Sequence, residues 1–448
     1  MNEAVGREGV APWIAELSGL AGDGQVLSDA QSLAAHTIDG LRPWAVVRPR
    51  TAAQVGEVLR WAFGRRLAVA PWGGGTKQGV GRPLARLDLV LKTDALNRVL
   101  ELDEGNLTAE VEAGISLGDL QAQLAKRNLF LALDPLDGES ATIGGIIATN
   151  ASGPARLLYR TARDHVLGLQ VALADGRHLR AGGKTMKDVA GYNLVKPLIG
   201  SLGTLGVIVG ATVRLQPLPE AYTTVAARFR GVQPAAQMAM RVRGTTLAPT
   251  AMELVSETAW RAAGGGDFGG EGATLLIGVG GAREAVTRHD RDLTQLAEEA
   301  GALEVVAVGG DEMAAVWRRR QNVAAGLAAI ASGLVRVKIG VPMSTLGAAL
   351  AAAEAEGARR GLGVAYAGHA GNGIAQVFFV GAEASIIDAV LKLRELASGL
   401  GGYLILEVAS PAAKRQIDPL PIRDDYALMR RIRESLNPAD TLNPGKLF

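Results

Sequence analysis

The stretch PWGGGTKQG, residues 71–79, decides how the first half of this sequence is read. Three consecutive glycines let a backbone take positive φ and approach an anion closely. Successive N–H groups in such a turn form a nest for negative charge. Thr76 adds a hydroxyl donor and Lys77 a cation, so the loop suits a diphosphate. Taken alone, the same residues read equally as a plain flexible turn. The segment leading into the loop is regular. WAVVRPR, from Trp44, reads as a strand. TAAQ, from Thr51 to Gln54, has capping-box spacing, in which a hydroxyl and an amide satisfy free N–H groups at a helix start. Val55, Val58, Leu59 and Ala62 then recur at i, i+3, i+4 and i+7, one apolar helix face. Leu67 to Ala70 is a short buried strand. A strand–helix–strand unit therefore delivers the glycine loop.

Downstream, LDLVLKT and the segment around LTAEVEAG read as strands. Ser116 opens SLGD, a second cap, with Leu117, Leu120 and Leu124 on one face. FLALDPLDGESATIGGIIATNASGPA reads as a long loop-rich stretch, and GLQVALADGRHL as a hairpin turning at Asp175-Gly176. Two familiar nucleotide motifs fail. The fingerprint GxGxxG from Gly73 needs glycine at 78, where Gln78 stands. GGKT at 182–185 imitates the end of a P-loop, but the glycine required five positions before Gly183 is His178. Two further glycine loops remain, ATIGGIIATNASG (141–153) and GSLGTLGVI (200–208). Three such loops in one region point to a long, extended nucleotide cofactor.

The chain has 448 residues, enough for two or three domains. Lys and Arg number 47 against 45 Asp and Glu, a balance that argues against nucleic-acid binding. Absence of cysteine excludes disulfides, thiolate nucleophiles and a protein-held iron–sulfur cluster. The N-terminus MNEAVGREGVAPW has no basic region followed by an apolar stretch, and no apolar run approaches the roughly 18–20 residues that span a bilayer. A soluble cytoplasmic protein is expected, with peripheral association at the inner membrane through a complex left open. Residues 1–40 read as a helical lead-in. Pro217 and Pro219 mark a boundary. From 221 to 400, strand-like runs such as TTVAARF, ATLLIGVG and IAQVFFV alternate with Ala-rich helices, an α+β pattern with a mostly antiparallel sheet. Residues 401–448 are expected to return to the first domain.

In order along the chain, PWGGGTKQG, DPLDGESATIGGIIATNASGP, RTARDHVLGLQVALADG and GGKTMKDVAGYNLVKPLIGSLGTLGVI resemble the FAD-binding domain of the vanillyl-alcohol oxidase (PCMH-type) flavoprotein superfamily. SGPARLLYRTARDHVLG and KDVAGYNL are most like the E-subunit family of bacterial glycolate oxidase, a relative of its D subunit and of the D-2-hydroxyacid dehydrogenases. The resemblance implies a two-lobed FAD-binding domain over 1–220 and a cap over the flavin ring. It implies that Gly73, Gly74, Gly75, Thr76, Lys77 and Gly79 hold the FAD diphosphate. Pro135, Ser140, Thr142, Gly144, Gly145, Ala148 and Asn150 would line the ribityl and isoalloxazine side, and Val207 and Ile208 the adenine or the ring edge. With no cysteine, and no histidine in the glycine loop, the FAD is expected to be non-covalent.

Oxidation of a 2-hydroxyacid needs a cation for the carboxylate, a base for the hydroxyl proton, and the flavin near the α-carbon. VWRRRQNVA carries Trp317 and Arg320, which resemble the W-x-x-R element of the hydroxyacid relatives, and RVKIGVP puts Arg336 where those relatives carry lysine. Each arginine also reads as a solvated surface charge. AGHAGNGIAQ resembles the metal-binding GHxGDGNxH element through His369 and Gly371, with Asn372 and Gln376 as departures. GGYLILEVAS resembles GGxxxxEHG, with Glu407 retained and Val408 in place of histidine. The resemblance thus implies His369, Arg320, Arg336 and Glu407 as the catalytic set, without a bound metal. His369 also reads as a packed histidine beside a glycine turn. Electrons must leave the reduced flavin, so the resemblance implies a complex with a D-type flavoprotein subunit and an iron–sulfur subunit. Two functions are expected from this. One is an FAD-dependent glycolate or D-2-hydroxyacid dehydrogenase subunit. The other, motivated by Val408 and Gln376, is a non-catalytic flavin-bearing assembly or electron-relay subunit of the same complex.

Overall fold

The computed structural model describes residues 7–136, 138–184, 193–266, 272–331, 333–421 and 423–448. The strand–helix–strand unit forms as expected. Strands Ala45–Val47 and Val69–Trp72 both run parallel to Leu89–Lys92, which lies between them. Helix Ala52–Gly64 connects the first two and buries Val55, Val58, Leu59 and Ala62. Thr51 caps it by accepting from Gln54 N at 3.2 Å, while Gln54 Oε1 reaches back to Arg50 N at 2.8 Å, one residue before the cap. A second lobe is a five-stranded antiparallel sheet in the order 99–103, 108–112, 207–214, 166–172, 178–182. Its last two strands are the expected hairpin, with Gly176 at φ +82° in the turn.

The stretch 141–153, expected as a glycine loop, contains the helix Ile143–Thr149. Glycine costs a helix interior up to about 1 kcal/mol, and the local structure offsets this. Thr142 Oγ1 accepts from Gly145 N at 3.2 Å, and Asn150 ends the helix in the left-handed region at φ 48°. Ile143, Ile146 and Ile147, spaced i, i+3, i+4, are all buried on one face. Gly144 is required by packing, since a Cβ there would sit 2.9 Å from Ala113 Cβ. The KDVAGYNL element falls largely on residues 185–192, outside the described residues.

The second half is built on an eight-stranded sheet in which every pairing is antiparallel, in the order 304–309, 221–229, 273–281, 251–256, 363–369, 374–380, 335–340, 403–408. Alternate residues feed two separate cores, as the period of a strand requires. Leu254, Leu275, Ile277 and Val337 pack under helices Val232–Arg243, Arg283–Glu299, Leu346–Arg360 and Glu383–Gly399. Val255, Leu276, Ala365 and Phe378 pack with helices Glu257–Ala262, Gly310–Gln321 and Val323–Ile330 on the opposite face. The edge strand Tyr403–Val408 lies beyond the expected boundary at 400, and the chain returns to the first lobe after it. There, Val69 N donates to Thr441 O at 2.7 Å and Asn443 N to Val69 O at 3.1 Å. Among the described residues no helix is long and apolar enough to cross a membrane.

Candidate active site

Strand Val69–Trp72 ends at the glycine loop, which forms one wall of a cleft enclosing about 760 Å³ of space outside the atoms, open to solvent. Gly73, Gly74, Gly75, Thr76 and Lys77 line it from one side, Thr142, Gly144, Gly145 and Ala148 from the capped helix, and Val207 and Ile208 from the five-stranded sheet. The loop is pressed against the start of that helix. A Cβ on Gly73 would lie 2.1 Å from Thr142 Oγ1, and one on Gly74 would lie 2.1 Å from Ser140 O. Gly75 takes φ +76° and a Cβ there would strike the Trp72 ring. Glycine is thus dictated at all three positions, and backbone is brought to the cleft surface. The other four proposed cofactor residues lie outside the cleft lining. Ser140 backs the loop through its carbonyl, Gly79 O accepts from Lys414 Nζ, Pro135 is buried against Gly138, and Asn150 is the helix C-cap.

The C-terminal tail completes this cleft, which the sequence reading missed. Asn443 and Lys446 are part of its lining. Asn443 Nδ2 donates to Leu202 O at 2.7 Å, while its Oδ1 is buried with no hydrogen-bond partner among the described residues. Lys446 Nζ donates to Asp39 Oδ2 and to Gln78 O, both at 2.7 Å. Lys414 Nζ lies 3.8 Å from Asp39 Oδ1. Two buried ammonium groups thus share one carboxylate beneath the phosphate-type loop. Burial pushes Lys414 down to about 8, with Lys446 adding to the repulsion, and it lowers Lys446 as well. An excess of buried positive charge, an unsatisfied oxygen and a cradle that only glycine permits together fit a flavin dinucleotide. The closing LNPGK of the sequence was the signal, a short polar turn whose role shows only when the chain has folded back.

The catalytic candidates gather on one face of the eight-stranded sheet, the face that carries Val255, Ala365 and Phe378. Glu253 and His369 are direct cross-strand partners. Glu253 Oε2 accepts from His369 Nδ1 at 2.7 Å, and Glu253 Oε1 accepts from Arg320 Nε at 2.7 Å. Arg320 Nη2 lies 3.5 Å from His369 Nδ1. Arg320 is 1% exposed and Glu253 0%. Two strands further across, Arg336 Nε lies 3.2 Å from Glu407 Oε2, which also accepts from Gln376 Nε2 at 3.2 Å. Glu407 occupies a register shift, because Arg336 faces Val408 and Val337 faces Leu406. Bulges of this kind re-aim a side chain. The four predicted residues therefore fall into two neighbouring groups, Arg320 with His369 and Arg336 with Glu407. Glu253, which links the first group, was missed; the signal was a lone acid within the fully buried strand AMELVS.

Electrostatics keep the two carboxylates charged in a dry setting. Burial opposes ionisation of Glu253, but Arg320 and His369 outweigh it and hold the carboxyl below its ordinary value. Burial likewise opposes Glu407, and Arg336, Lys77 and Lys338 hold it low. The pull of Lys77 ties this face to the glycine loop. His369 is lowered by burial, with Arg320 and Arg156 adding to the effect against Glu253. A neutral imidazole whose Nδ1–H points at a carboxylate presents Nε2 as a proton acceptor.

Comparison with known proteins agrees with this architecture. The FAD binding domain family matches residues 43–182, and the C-terminal domain of the FAD linked oxidases matches residues 218–447. The chain is 29% identical to glycolate oxidase subunit GlcD of Bacillus subtilis, over 91% of this chain and 89% of that one. It is 32% identical to D-lactate dehydrogenase of Archaeoglobus fulgidus, over 90% of this chain and 91% of that one. The structure of 4-ethylphenol oxidase from Gulosibacter chungangensis superposes with a TM-score of 0.79 at 17% identity, covering 99% of this chain and 98% of the other, a likeness of fold. With a glycine-built dinucleotide cleft facing a charged cap sheet, and family matches over both halves, the chain belongs to the FAD-linked oxidases and uses FAD as its cofactor.

Proposed function

We propose that this chain is an FAD-dependent oxidoreductase acting on CH–OH donors, which oxidises glycolate or a D-2-hydroxyacid to the 2-oxoacid as the E-type subunit of a glycolate oxidase complex. The relatives named glycolate oxidase subunit GlcD and D-lactate dehydrogenase support the substrate class. The buried Glu253–His369–Arg320 group carries the reading. When bound, FAD supplies the two-electron acceptor for hydride leaving the α-carbon. The protein's part is to hold the substrate and manage its proton. Arg320 and Arg336 supply cations for the carboxylate. His369, fixed through Nδ1 by Glu253, takes the hydroxyl proton at Nε2. Glu407, held ionised by Arg336, balances charge between the cap face and the glycine loop.

The proposal extends to non-covalent FAD, to a divide near residue 220 between cofactor and cap portions, and to a complex with a D-type flavoprotein and an iron–sulfur subunit. The absence of cysteine supports an external relay, since this chain cannot hold a thiolate-ligated cluster. A second reading, a flavin-bearing relay subunit without catalysis, is favoured by Val408 and Gln376 at positions where the related elements carry histidine. Anaerobic addition of glycolate or D-lactate to the isolated, FAD-loaded chain separates the two. Bleaching of the flavin band supports catalysis here; bleaching only after the partner subunits are added supports the relay.

A further inference from the structure

A second cavity, sharing no residue with the cofactor cleft, opens between the first lobes and the cap sheet. Its apolar walls come from both sides of that boundary, with Phe130 and Tyr159 facing Tyr222, Met313 and Trp317. These rings are held in place. Phe130 and Tyr159 meet edge to face at 5.5 Å. Trp317 Nε1 donates to Thr224 Oγ1 at 2.9 Å, and its ring lies over Gly278, where a Cβ would come within 3.0 Å. The ionised or ionisable carboxylate and guanidinium groups in the lining are those of Asp134 and Arg320. Arg320 is almost wholly buried; its Nε donates to Glu253, its Nη2 lies 3.5 Å from His369 Nδ1, and its Nη1 has no hydrogen-bond partner among the described residues. A buried donor left without a partner is unfavourable, so an acceptor that reaches it from the cavity side is favoured. Asp134, whose Oδ2 accepts from Ala155 N at 3.0 Å, is pushed by burial up to about 7. Near neutral pH a large share of it is uncharged, and a neutral carboxyl donates to an incoming anion instead of repelling it.

We propose that this cavity binds a carboxylate with a bulky apolar or aromatic body, the carboxylate at Arg320 Nη1 and the body among Phe130, Tyr159, Tyr222 and Trp317. The substrate of the chain is then a 2-hydroxyacid with a large apolar side chain in preference to glycolate. The preference among substrates rests on the hydroxyacid reading above; the binding itself does not. Two-electron oxidation of such an acid breaks the α C–H bond as hydride to the flavin and the O–H bond as a proton to the protein, leaving the 2-oxoacid.

The test uses the full-length, FAD-loaded protein. Phenylacetate, which lacks the hydroxyl, is titrated by calorimetry, and anaerobic flavin reduction is compared for D-phenyllactate and glycolate. The expected result is saturable phenylacetate binding, competition with D-phenyllactate, and reduction by D-phenyllactate about tenfold or more above that by glycolate at equal subsaturating concentration. Thr250→Trp, which fills the cavity from the residue just before strand Ala251–Ser256, is expected to lower the phenyllactate-to-glycolate ratio about tenfold or more. Reduction by glycolate with neither phenylacetate binding nor reduction by D-phenyllactate would overturn the inference and leave the hydroxyacid reading standing. Phenylacetate binding that Thr250→Trp removes, with no reduction by either acid, would uphold the cavity's ligand class and sink the hydroxyacid reading.

Discussion

In the cofactor cleft the decisive groups are backbone, exposed where Gly73, Gly74 and Gly75 lack side chains and propped by the cap of helix Ile143–Thr149. On the cap sheet they are side chains, drawn from strands 251–256, 335–340, 363–369, 374–380 and 403–408 and from helix Gly310–Gln321. The glycine loop tolerates almost no added volume, and what it offers the cofactor is main chain, with the side chains of Asn443 and Lys446 added by the returning tail. The sheet face is the reverse: its groups have partners by charge, and replacing one leaves another buried and unsatisfied. Cofactor binding and substrate chemistry should therefore fail separately, and substitutions can show whether they do.

The largest effect is expected at Gly74. Gly74→Val places a branched side chain where a single Cβ already lies 2.1 Å from the Ser140 carbonyl, so the loop must leave its position. The protein should purify colourless, with FAD affinity down by about a hundredfold or more, read by absorbance after dialysis against FAD. The cap-side counterpart is Glu253→Gln, which removes the charge shared by Arg320 and His369. Breaking a buried pair this way costs about 3–5 kcal/mol. A lowered melting temperature with FAD retained, and loss of hydroxyacid-driven reduction, would separate the two regions cleanly; loss of FAD in this variant would break the comparison.

A smaller effect tests whether the tail belongs to the cleft. Lys446→Met removes a buried cation beneath the loop, and should weaken FAD about tenfold, consistent with loss of a charge-assisted contact. Fluorescence titration of apo-protein with FAD reads it, and unchanged affinity would confine Lys446 to a structural role. The smallest effect concerns pH. Burial raises Asp134 to about 7 in the folded protein, above its unfolded value of 3.8, so the folded state binds the extra proton between those values. The associated stability is full below the unfolded value and is lost as pH rises through about 7. Asp134→Asn should therefore flatten the fall in melting temperature between pH 5 and pH 8, a difference of a few degrees by calorimetry.

The same contrast explains what the sequence could show. The cleft was legible because PWGGGTKQG is contiguous and glycine clusters are rare without a reason. The helix at Ile143–Thr149 was not, because its two glycines hid a Thr142 cap and an Ile143, Ile146, Ile147 face. On the cap, Arg320, Arg336, His369 and Glu407 were visible only through resemblance to known elements. Their division into two groups follows from strand order, which spacing does not encode. Glu253 lies over a hundred positions before His369 and meets it by cross-strand register. Asn443 and Lys446 were obscured similarly, since only the returning tail carries them to a loop near residue 75.

Anaerobic flavin reduction in the isolated chain tests the central claim most directly. The account predicts that protein carrying FAD loses its visible band on addition of a D-2-hydroxyacid, and that Glu253→Gln, still yellow, keeps its band under the same conditions. A yellow wild-type protein whose spectrum is unmoved by glycolate, D-lactate and D-phenyllactate would contradict it.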